Sequence, residues 1–241
     1  MAESSELPYP PFDLANRVLR LWSDDLEGFV EYELIGRELA AALRALLPED
    51  TDLDGSRILD FGCGAGRTMR RLREEARRGE VWGVDIDEPS IHWIRENLSP
   101  PLRAKVSGVD PPLDFEDGSF DLAYAISVFT HLSGNSAQWL LELHRVLKPG
   151  GLLMASYMGE WNSEAIAGEP WDPDRIGMNE LFHSRPWEEG GPMVLMSDWW
   201  VDEHWGRAFE IVARNSRVRD QTWVLLRRRD VELTADELLA P

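Results

Sequence analysis

The sequence predicts an α/β fold in which a largely parallel β-sheet is covered by helices on both faces. From residue 56 onward, short apolar segments typical of strands alternate with amphipathic segments typical of helices. This alternation favours parallel strands, because each helix carries the chain back across the sheet to start the next strand. A glycine-rich turn, Gly62 to Gly66, lies between the first predicted strand and the next helix, where such sheets bind ligands.

The predicted elements follow one another in a simple order. Helices are expected over 13–22 and 31–47, and the first 50 residues should form a helical cap before a domain spanning 51–241. In that domain, strands are expected over 57–61, 81–85, 104–106, 120–127 and 152–157. Helices are expected between them over 68–78, 89–98 and 136–147, and the run Lys148 to Gly151 should stop the last one.

The alternation stops at residue 158. Residues 158–197 are rich in Gly, Pro and Trp without a clean period, so we expect an irregular insert that serves as a lid or binding loop. A helix over 198–205 and two closing strands, over 209–212 and 222–226, complete the prediction.

Composition narrows the possible partners. The chain has 241 residues and a net charge of −19, which argues against nucleic acid and against an anionic membrane surface. Cys63 is the single cysteine, so an internal disulfide or a cysteine metal cluster is excluded and no metal is expected. The N-terminus does not resemble a secretory signal and no apolar run is long enough for a membrane span, which predicts a cytoplasmic protein.

Two acidic residues give the glycine turn a specific meaning. The turn has the spacing G-x-G-x-G rather than the G-x-G-x-x-G of a dinucleotide fold, and Asp60 lies two residues before it. A carboxylate there would repel a pyrophosphate and suits a ligand that carries a cation. Asp85 ends the second strand, where an acidic residue accepts hydrogen bonds from a ribose diol. Together these features predict a nucleoside whose other end is cationic.

With these motifs the sequence resembles the class I S-adenosylmethionine-dependent methyltransferases. The segments that carry the resemblance, in family order, are 58–66, 84–87, 117–124 and 147–151. The resemblance implies S-adenosylmethionine as cofactor. It also implies a Rossmann-like, doubly wound, mostly parallel seven-stranded sheet with an antiparallel last strand.

The resemblance also implies which residues bind the cofactor. The backbone of Gly62, Cys63, Gly64 and Gly66 should contact the methionine part, with Asp60 near the ammonium and Arg67 near the carboxylate. Asp85 should bind the ribose, while Ile86 packs on the adenine and Gly108 and Val109 pass its edge. Ile126 and Ser127 should line the sulfonium side.

The acceptor side carries a weaker signal. His131 follows the fourth predicted strand, where a base or an orienting group is expected, so it is our candidate catalytic residue. A structural histidine that binds the loop backbone is the alternative. The aromatic residues of the insert and of the segment after it can clamp a flat acceptor or pack in the core: Trp161, Trp171, Trp187, Trp199, Trp200 and Trp205. His183 is a second acid–base candidate.

These features predict methylation of a small molecule, such as a sugar or a secondary metabolite, as in bacterial enzymes of this type. A hydroxyl acceptor is slightly favoured over an amine because His131 offers a base. Two alternatives stay open: an NAD-dependent oxidoreductase, and a methyltransferase-like module that binds without catalysis. The sequence does not indicate an oligomeric state.

Overall fold

A computed structural model describes residues 7–19, 26–168, 171–172, 174, 176–186 and 191–241. The chain divides into two compact units, residues 1–108 and 109–241, which are described in turn.

The first unit begins with two helices, α1 (Phe12–Leu19) and α2 (Leu26–Leu46). The predicted end of the first helix, including Trp22, lies outside the described residues. The second helix begins at Leu26 rather than at residue 31, because Phe29 packs against the small cluster of Ala15 and Tyr32 and extends the apolar face toward the N-terminus.

The rest of the first unit is a parallel three-stranded arrangement with helical connections. Its elements, in chain order, are β1 (Arg57–Phe61), a 3₁₀ turn (Met69–Leu72), α3 (Arg73–Arg78), β2 (Glu80–Asp85), α4 (Glu88–Asn97) and β3 (Arg103–Val106). Strand β2 pairs in parallel with both β1 and β3. The single helix predicted over 68–78 is therefore a tight turn followed by a short helix.

The second unit opens with β4 (Phe120–Ala125), α5 (Ser136–Val146) and β5 (Leu147–Tyr157). Strand β4 ends two residues before the predicted boundary, because Ser127 has a left-handed backbone (φ +59°) that no strand accommodates. Strand β5 begins earlier than predicted and includes Lys148 to Gly151, where Gly150 takes a positive φ and the β4–β5 register shifts.

The insert contains regular structure, so the prediction of an irregular segment is wrong. It holds α6 (Trp161–Ala167) and an antiparallel pair, β6 (Met178–Leu181) and β7 (Met193–Met196). Strand β7 is buried through Val194 to Met196, and the Met196 N–H donates to the carbonyl of Met158 at 2.8 Å. Contacts with residues distant in sequence therefore organise this hairpin.

The chain ends with α7 (Asp198–Ala208), β8 (Phe209–Val218), β9 (Gln221–Arg228) and a short helix, α8 (Ala235–Leu238). Strand β4 runs parallel to β5, whereas β9 is antiparallel to both β5 and β8. The seven strands have the order β3-β2-β1-β4-β5-β9-β8. The prediction of a mostly parallel seven-stranded sheet with an antiparallel last strand is confirmed.

Candidate functional site

The glycine turn follows β1 in the first unit, and its geometry explains its sequence. Gly62, Gly64 and Gly66 have φ angles of +78°, +50° and +77°, a region that a side chain disfavours. The N–H groups of Gly62 and Cys63 both donate to the carbonyl of Val84, at 2.8 and 3.1 Å. The turn is thus held against the end of β2 by its own backbone.

Asp85 is bound directly to this turn. Its Oδ2 accepts a hydrogen bond from the N–H of Gly64 at 2.7 Å, and its Oδ1 accepts one from the N–H of Asp87 at 2.8 Å. Burial raises the pKa of the Asp85 carboxyl, while these backbone donors oppose the shift. The predicted ribose carboxylate and the predicted methionine turn are therefore in contact.

Asp60 and Cys63 lie beneath the turn. Asp60 is 3% exposed at the end of β1, and the Cys63 thiol is buried and lies 3.5 Å from the carbonyl of Gly64. Burial, and then the charges of Asp60 and Asp85, raise the pKa of Cys63 well above its usual value. Burial and these charges therefore favour the neutral thiol over the thiolate.

Exposed apolar side chains follow β2 and end β3. Ile86 and Val106 each have 43% of their surface exposed, unlike the buried apolar residues that precede them in their strands. The Ser107 N–H donates to the Asp85 carbonyl at 2.9 Å, which fixes the end of β3 and the approach to Gly108. Val106 was not among the predicted residues, because its exposure depends on where the strand ends.

Helix α2 packs against the glycine turn and the residue that follows it. A Cβ at Gly36 would lie 2.6 Å from the carbonyl oxygen of Arg67, so only glycine allows this approach. The hydroxyl of Tyr32, which is fully buried, donates to the carbonyl of Ala65 at 3.4 Å. Burial raises the pKa of Tyr32 to about 12.

Helix α1 reaches the same region of the first unit. Arg17 forms an ion pair with Asp87, two residues beyond Asp85. Neither this contact nor Gly36 was predicted as part of a site, because both depend on tertiary packing that the local sequence does not indicate.

The loop that opens the second unit is fixed by α5. The carbonyl of Val109 accepts hydrogen bonds from Asn135 Nδ2 at 3.1 Å and from Trp139 Nε1 at 3.0 Å. The Val109 side chain itself is 61% exposed.

Ile126 and Ser127 lie at the carboxyl end of β4 and are both partly buried. A left-handed conformation at a non-glycine residue costs about 1–3 kcal/mol and persists only where surrounding contacts enforce it. One contact of this kind is the hydrogen bond of 2.7 Å that the Ser127 N–H donates to the Oγ of Ser156 on β5.

His131 is anchored to the insert. Its Nδ1 lies 2.8 Å from the carbonyl of Pro192, and the Val194 N–H donates to the Thr130 carbonyl at 2.8 Å. Because a carbonyl only accepts, the neutral ring carries its proton on Nδ1 and a lone pair on Nε2. The structural role proposed as the alternative for His131 is therefore present, and it also sets the tautomer that a base requires.

The tryptophans of the insert and of the segment after it have different surroundings. Trp205 is 2% exposed and packs 4.7 Å from Phe129, which makes it a core residue. Trp199 is 41% exposed, and Trp199 and Trp200 both lie so close to Gly177 that a Cβ there would clash. Trp187 lies outside the described residues.

The side chain of His183 is mostly exposed. Its Nδ1 lies 3.0 Å from Oε1 of Glu180, which is on β6 three residues earlier in the chain. Within the described residues, no group of three or more His, Cys, Asp or Glu side chains is arranged to hold a metal ion. No helix in that part of the chain is long and apolar enough to cross a membrane.

Comparison with known proteins identifies the domain. Residues 58–151, which include the glycine turn and Asp85, match a family described as a methyltransferase domain. This match supports a class I S-adenosylmethionine-dependent methyltransferase domain over these residues. The predicted family and its cofactor, S-adenosylmethionine, are thereby confirmed.

The relatives of this chain differ in what they act on. It is 34% identical over 114 residues to the 2-methyl-6-phytyl-1,4-hydroquinone methyltransferase of Synechocystis sp., covering 47% of this chain and 34% of that protein. It is 27% identical over 187 residues to the tRNA N(3)-methylcytidine methyltransferase trm140 of Schizosaccharomyces pombe, covering 73% of this chain and 57% of that protein. The chain thus spans less than two thirds of either relative.

Among solved structures, the fold is similar to that of the Burkholderia thailandensis 1,6-didemethyltoxoflavin-N1-methyltransferase. The TM-score is 0.60 at 17% identity, over 92% of each chain, and that protein was solved with 1,6-didemethyltoxoflavin and S-adenosylhomocysteine bound. At this identity the likeness supports the fold alone.

Proposed function

We propose that the chain transfers a methyl group from S-adenosylmethionine to a hydroxyl of a small molecule. The observation that carries the proposal is the hydrogen bond of 2.7 Å from the Gly64 N–H to Asp85 Oδ2. This bond joins the glycine turn to Asp85, and these are two of the features that predicted a nucleoside with a cationic end.

The residues of the first unit suit this cofactor. A carboxylate offers about four acceptor sites, and the two backbone donors on Asp85 leave capacity for the ribose hydroxyls. The exposed side chains of Ile86 and Val106 offer an apolar surface to a flat base, with Gly108 beyond them. The buried carboxylate of Asp60 supplies negative charge for an ammonium.

When bound, the cofactor supplies an electrophilic methyl group, so the protein has mainly to align the acceptor and exclude water. We propose that the turn backbone from Gly62 to Gly66 and Arg67 hold the methionine part. Val109, Ile126 and Ser127 in the second unit are proposed as further cofactor contacts.

His131 is the proposed general base. An alcohol must lose its proton as the new bond forms, and a positioned base contributes typically 10²–10⁴-fold to such a step. The Nδ1 bond to the Pro192 carbonyl supports this role because it fixes the tautomer of the neutral ring that has its lone pair on Nε2. An amine acceptor would depend less on this residue, which gives the hydroxyl proposal its test.

A small acceptor is favoured by charge. With a net charge of −19, the chain offers little attraction to a phosphate backbone. The hydroquinone methyltransferase relative acts on a small molecule, whereas the tRNA methyltransferase relative acts on RNA. We propose that the exposed Trp199 and its neighbours in the insert contact a sugar-sized or aromatic acceptor, and that the protein is cytoplasmic.

The cofactor proposal is tested by calorimetric titration of the full chain with S-adenosylhomocysteine and, separately, with NADH. Binding of S-adenosylhomocysteine without NADH binding is expected. The reverse result would establish the oxidoreductase alternative. Binding without turnover across a panel of hydroxyl and amine acceptors would favour the non-catalytic module.

The role of His131 is tested with His131→Asn once an acceptor is found. The amide nitrogen of Asn can replace Nδ1 as donor to Pro192, so the variant retains the anchor and loses only Nε2. We expect turnover of a hydroxyl acceptor to fall at least 100-fold while S-adenosylhomocysteine affinity stays unchanged. Unchanged turnover would leave His131 with its structural role alone.

A further inference from the structure

A closed ring of hydrogen bonds holds the end of β4 in the second unit. The Ser127 N–H donates to Ser156 Oγ at 2.7 Å, and the Ser156 hydroxyl donates to Gln221 Oε1 at 2.7 Å. Gln221 Nε2 then donates back to Ser127 Oγ at 2.8 Å. Three residues from three strands or strand ends thus fix one another, although Ser127 and Gln221 are 94 positions apart.

One member of the ring, Ser127, has a backbone conformation that surrounding contacts must stabilise. Ser127 has a φ of +59°, in the left-handed region, and it is partly buried. Ser156 is fully buried, so its hydroxyl depends on protein partners. The amide of Gln221 bonds both serines, because its oxygen accepts from Ser156 while its nitrogen donates to Ser127.

Gln221 is itself firmly placed. It begins β9 directly after a tight turn in which Arg219 and Asp220 both have positive φ, +48° and +62°. The carbonyl of Asp220 accepts a hydrogen bond from Asn162 Nδ2 at 3.0 Å, and Asn162 Oδ1 accepts one from the Gly159 N–H at 3.0 Å. The ring is therefore continuous with the start of the insert.

We infer that Gln221 is a positioning residue, which holds Ser127 in the conformation that its cofactor contact requires. The inference rests on the proposed function, in which Ser127 is a cofactor residue. Strained backbone that dedicated contacts enforce is concentrated at functional sites, and the carboxyl ends of parallel strands are where open α/β sheets bind ligands. No local motif marks Gln221, and only the fold brings it to Ser127.

The test uses Gln221→Met, which keeps the shape of the side chain and removes both hydrogen bonds. Calorimetry of the full chain with S-adenosylhomocysteine should give at least a tenfold weaker Kd, equivalent to about 1.4 kcal/mol. The exposed Gln138 on α5 provides the matched control, since Gln138→Met should leave the Kd within twofold. A purely structural role for Gln221 would lower the melting temperature and leave the Kd unchanged, which would overturn the inference.

Ser127→Gly provides the decisive arm. Glycine adopts a φ of +59° without strain, so in this background the ring is no longer needed to hold the backbone. Adding Gln221→Met to Ser127→Gly should weaken binding less than threefold, against at least tenfold in the wild-type background. Equal losses in both backgrounds would contradict a role through Ser127.

Ser156→Ala keeps the inference testable if Gln221→Met does not fold. It removes the acceptor of the Ser127 N–H and should weaken S-adenosylhomocysteine at least fivefold, whereas an unchanged Kd would overturn the inference. Failure of the wild-type chain to bind S-adenosylhomocysteine would instead refute the proposed function. The two failures are therefore distinguishable.

Discussion

Replacing Asp85 with alanine tests the assignment of the ribose carboxylate. A hydrogen bond to a charged group contributes about 1.5–3 kcal/mol, so losing two ribose bonds should cost at least about 3 kcal/mol. That loss corresponds to a roughly 100-fold weaker Kd for S-adenosylhomocysteine. If water replaces part of the lost contact, the effect should still exceed about tenfold.

The same substitution also releases the N–H groups of Gly64 and Asp87, so its effect on the turn must be separated from its effect on the ligand. Calorimetry should therefore be paired with the melting temperature and circular dichroism of the unliganded chain. Glu96→Ala, at an exposed position on α4, removes one negative charge from the same unit and should leave the Kd unchanged. A folded Asp85→Ala protein with a Kd within threefold of wild type would refute the ribose role.

The first unit offers two more tests, at Asp85 and at Gly36. Because burial raises the pKa of Asp85, the folded chain holds this proton more tightly than the unfolded chain, whose Asp pKa is about 3.9. The contribution of Asp85 to the stability of the unliganded chain therefore decreases as pH rises from the unfolded-state pKa to the folded-state pKa. Ribose hydroxyls donate to the ionised carboxylate, so a bound cofactor favours the ionised form. S-adenosylhomocysteine affinity should accordingly fall as pH is lowered into the mildly acidic range, and Asp85→Asn should flatten that profile. Gly36→Ala should lower the melting temperature by several degrees, because the added Cβ would lie 2.6 Å from the carbonyl oxygen of Arg67. This loss is expected even though alanine is more favourable than glycine in a helix by about 1 kcal/mol. Gly134→Ala, with no atom near the added Cβ, is its control, and equal melting temperatures would contradict the packing of α2 on the turn.

The parts of the fold that the sequence predicts are those with a local physical cause. The three glycines of the turn need positive φ angles, and that need is visible as G-x-G-x-G. Asp85 could be predicted because it ends a strand at a fixed distance from the turn. The buried strands β1, β4 and β9 are visible as short apolar runs.

The parts that could not be predicted have causes that are distant in sequence. Strand β4 stops early because Ser156 and Gln221 hold Ser127 in a left-handed conformation. The sequence of the β6–β7 hairpin has no clear alternation of apolar and polar residues. Its strands are stabilised by contacts with residues outside the hairpin, such as the hydrogen bond between Met196 and Met158. Gly36 looks like an ordinary helical glycine until the carbonyl of Arg67 is known to lie against it.

The charge around the turn decides between the cofactor types that a glycine-rich turn can serve. Burial is the first cause of the raised pKa of the Cys63 thiol, but the carboxylates of Asp60, Asp85 and Asp87 all act in the same direction. These carboxylates therefore contribute negative charge at the turn, which disfavours a pyrophosphate and favours an ammonium or a sulfonium. An Asp60→Asn variant should accordingly bind S-adenosylhomocysteine more weakly without gaining affinity for NADH. A gain in NADH binding with no loss for S-adenosylhomocysteine would show that the carboxylate excludes an anion rather than holding a cation.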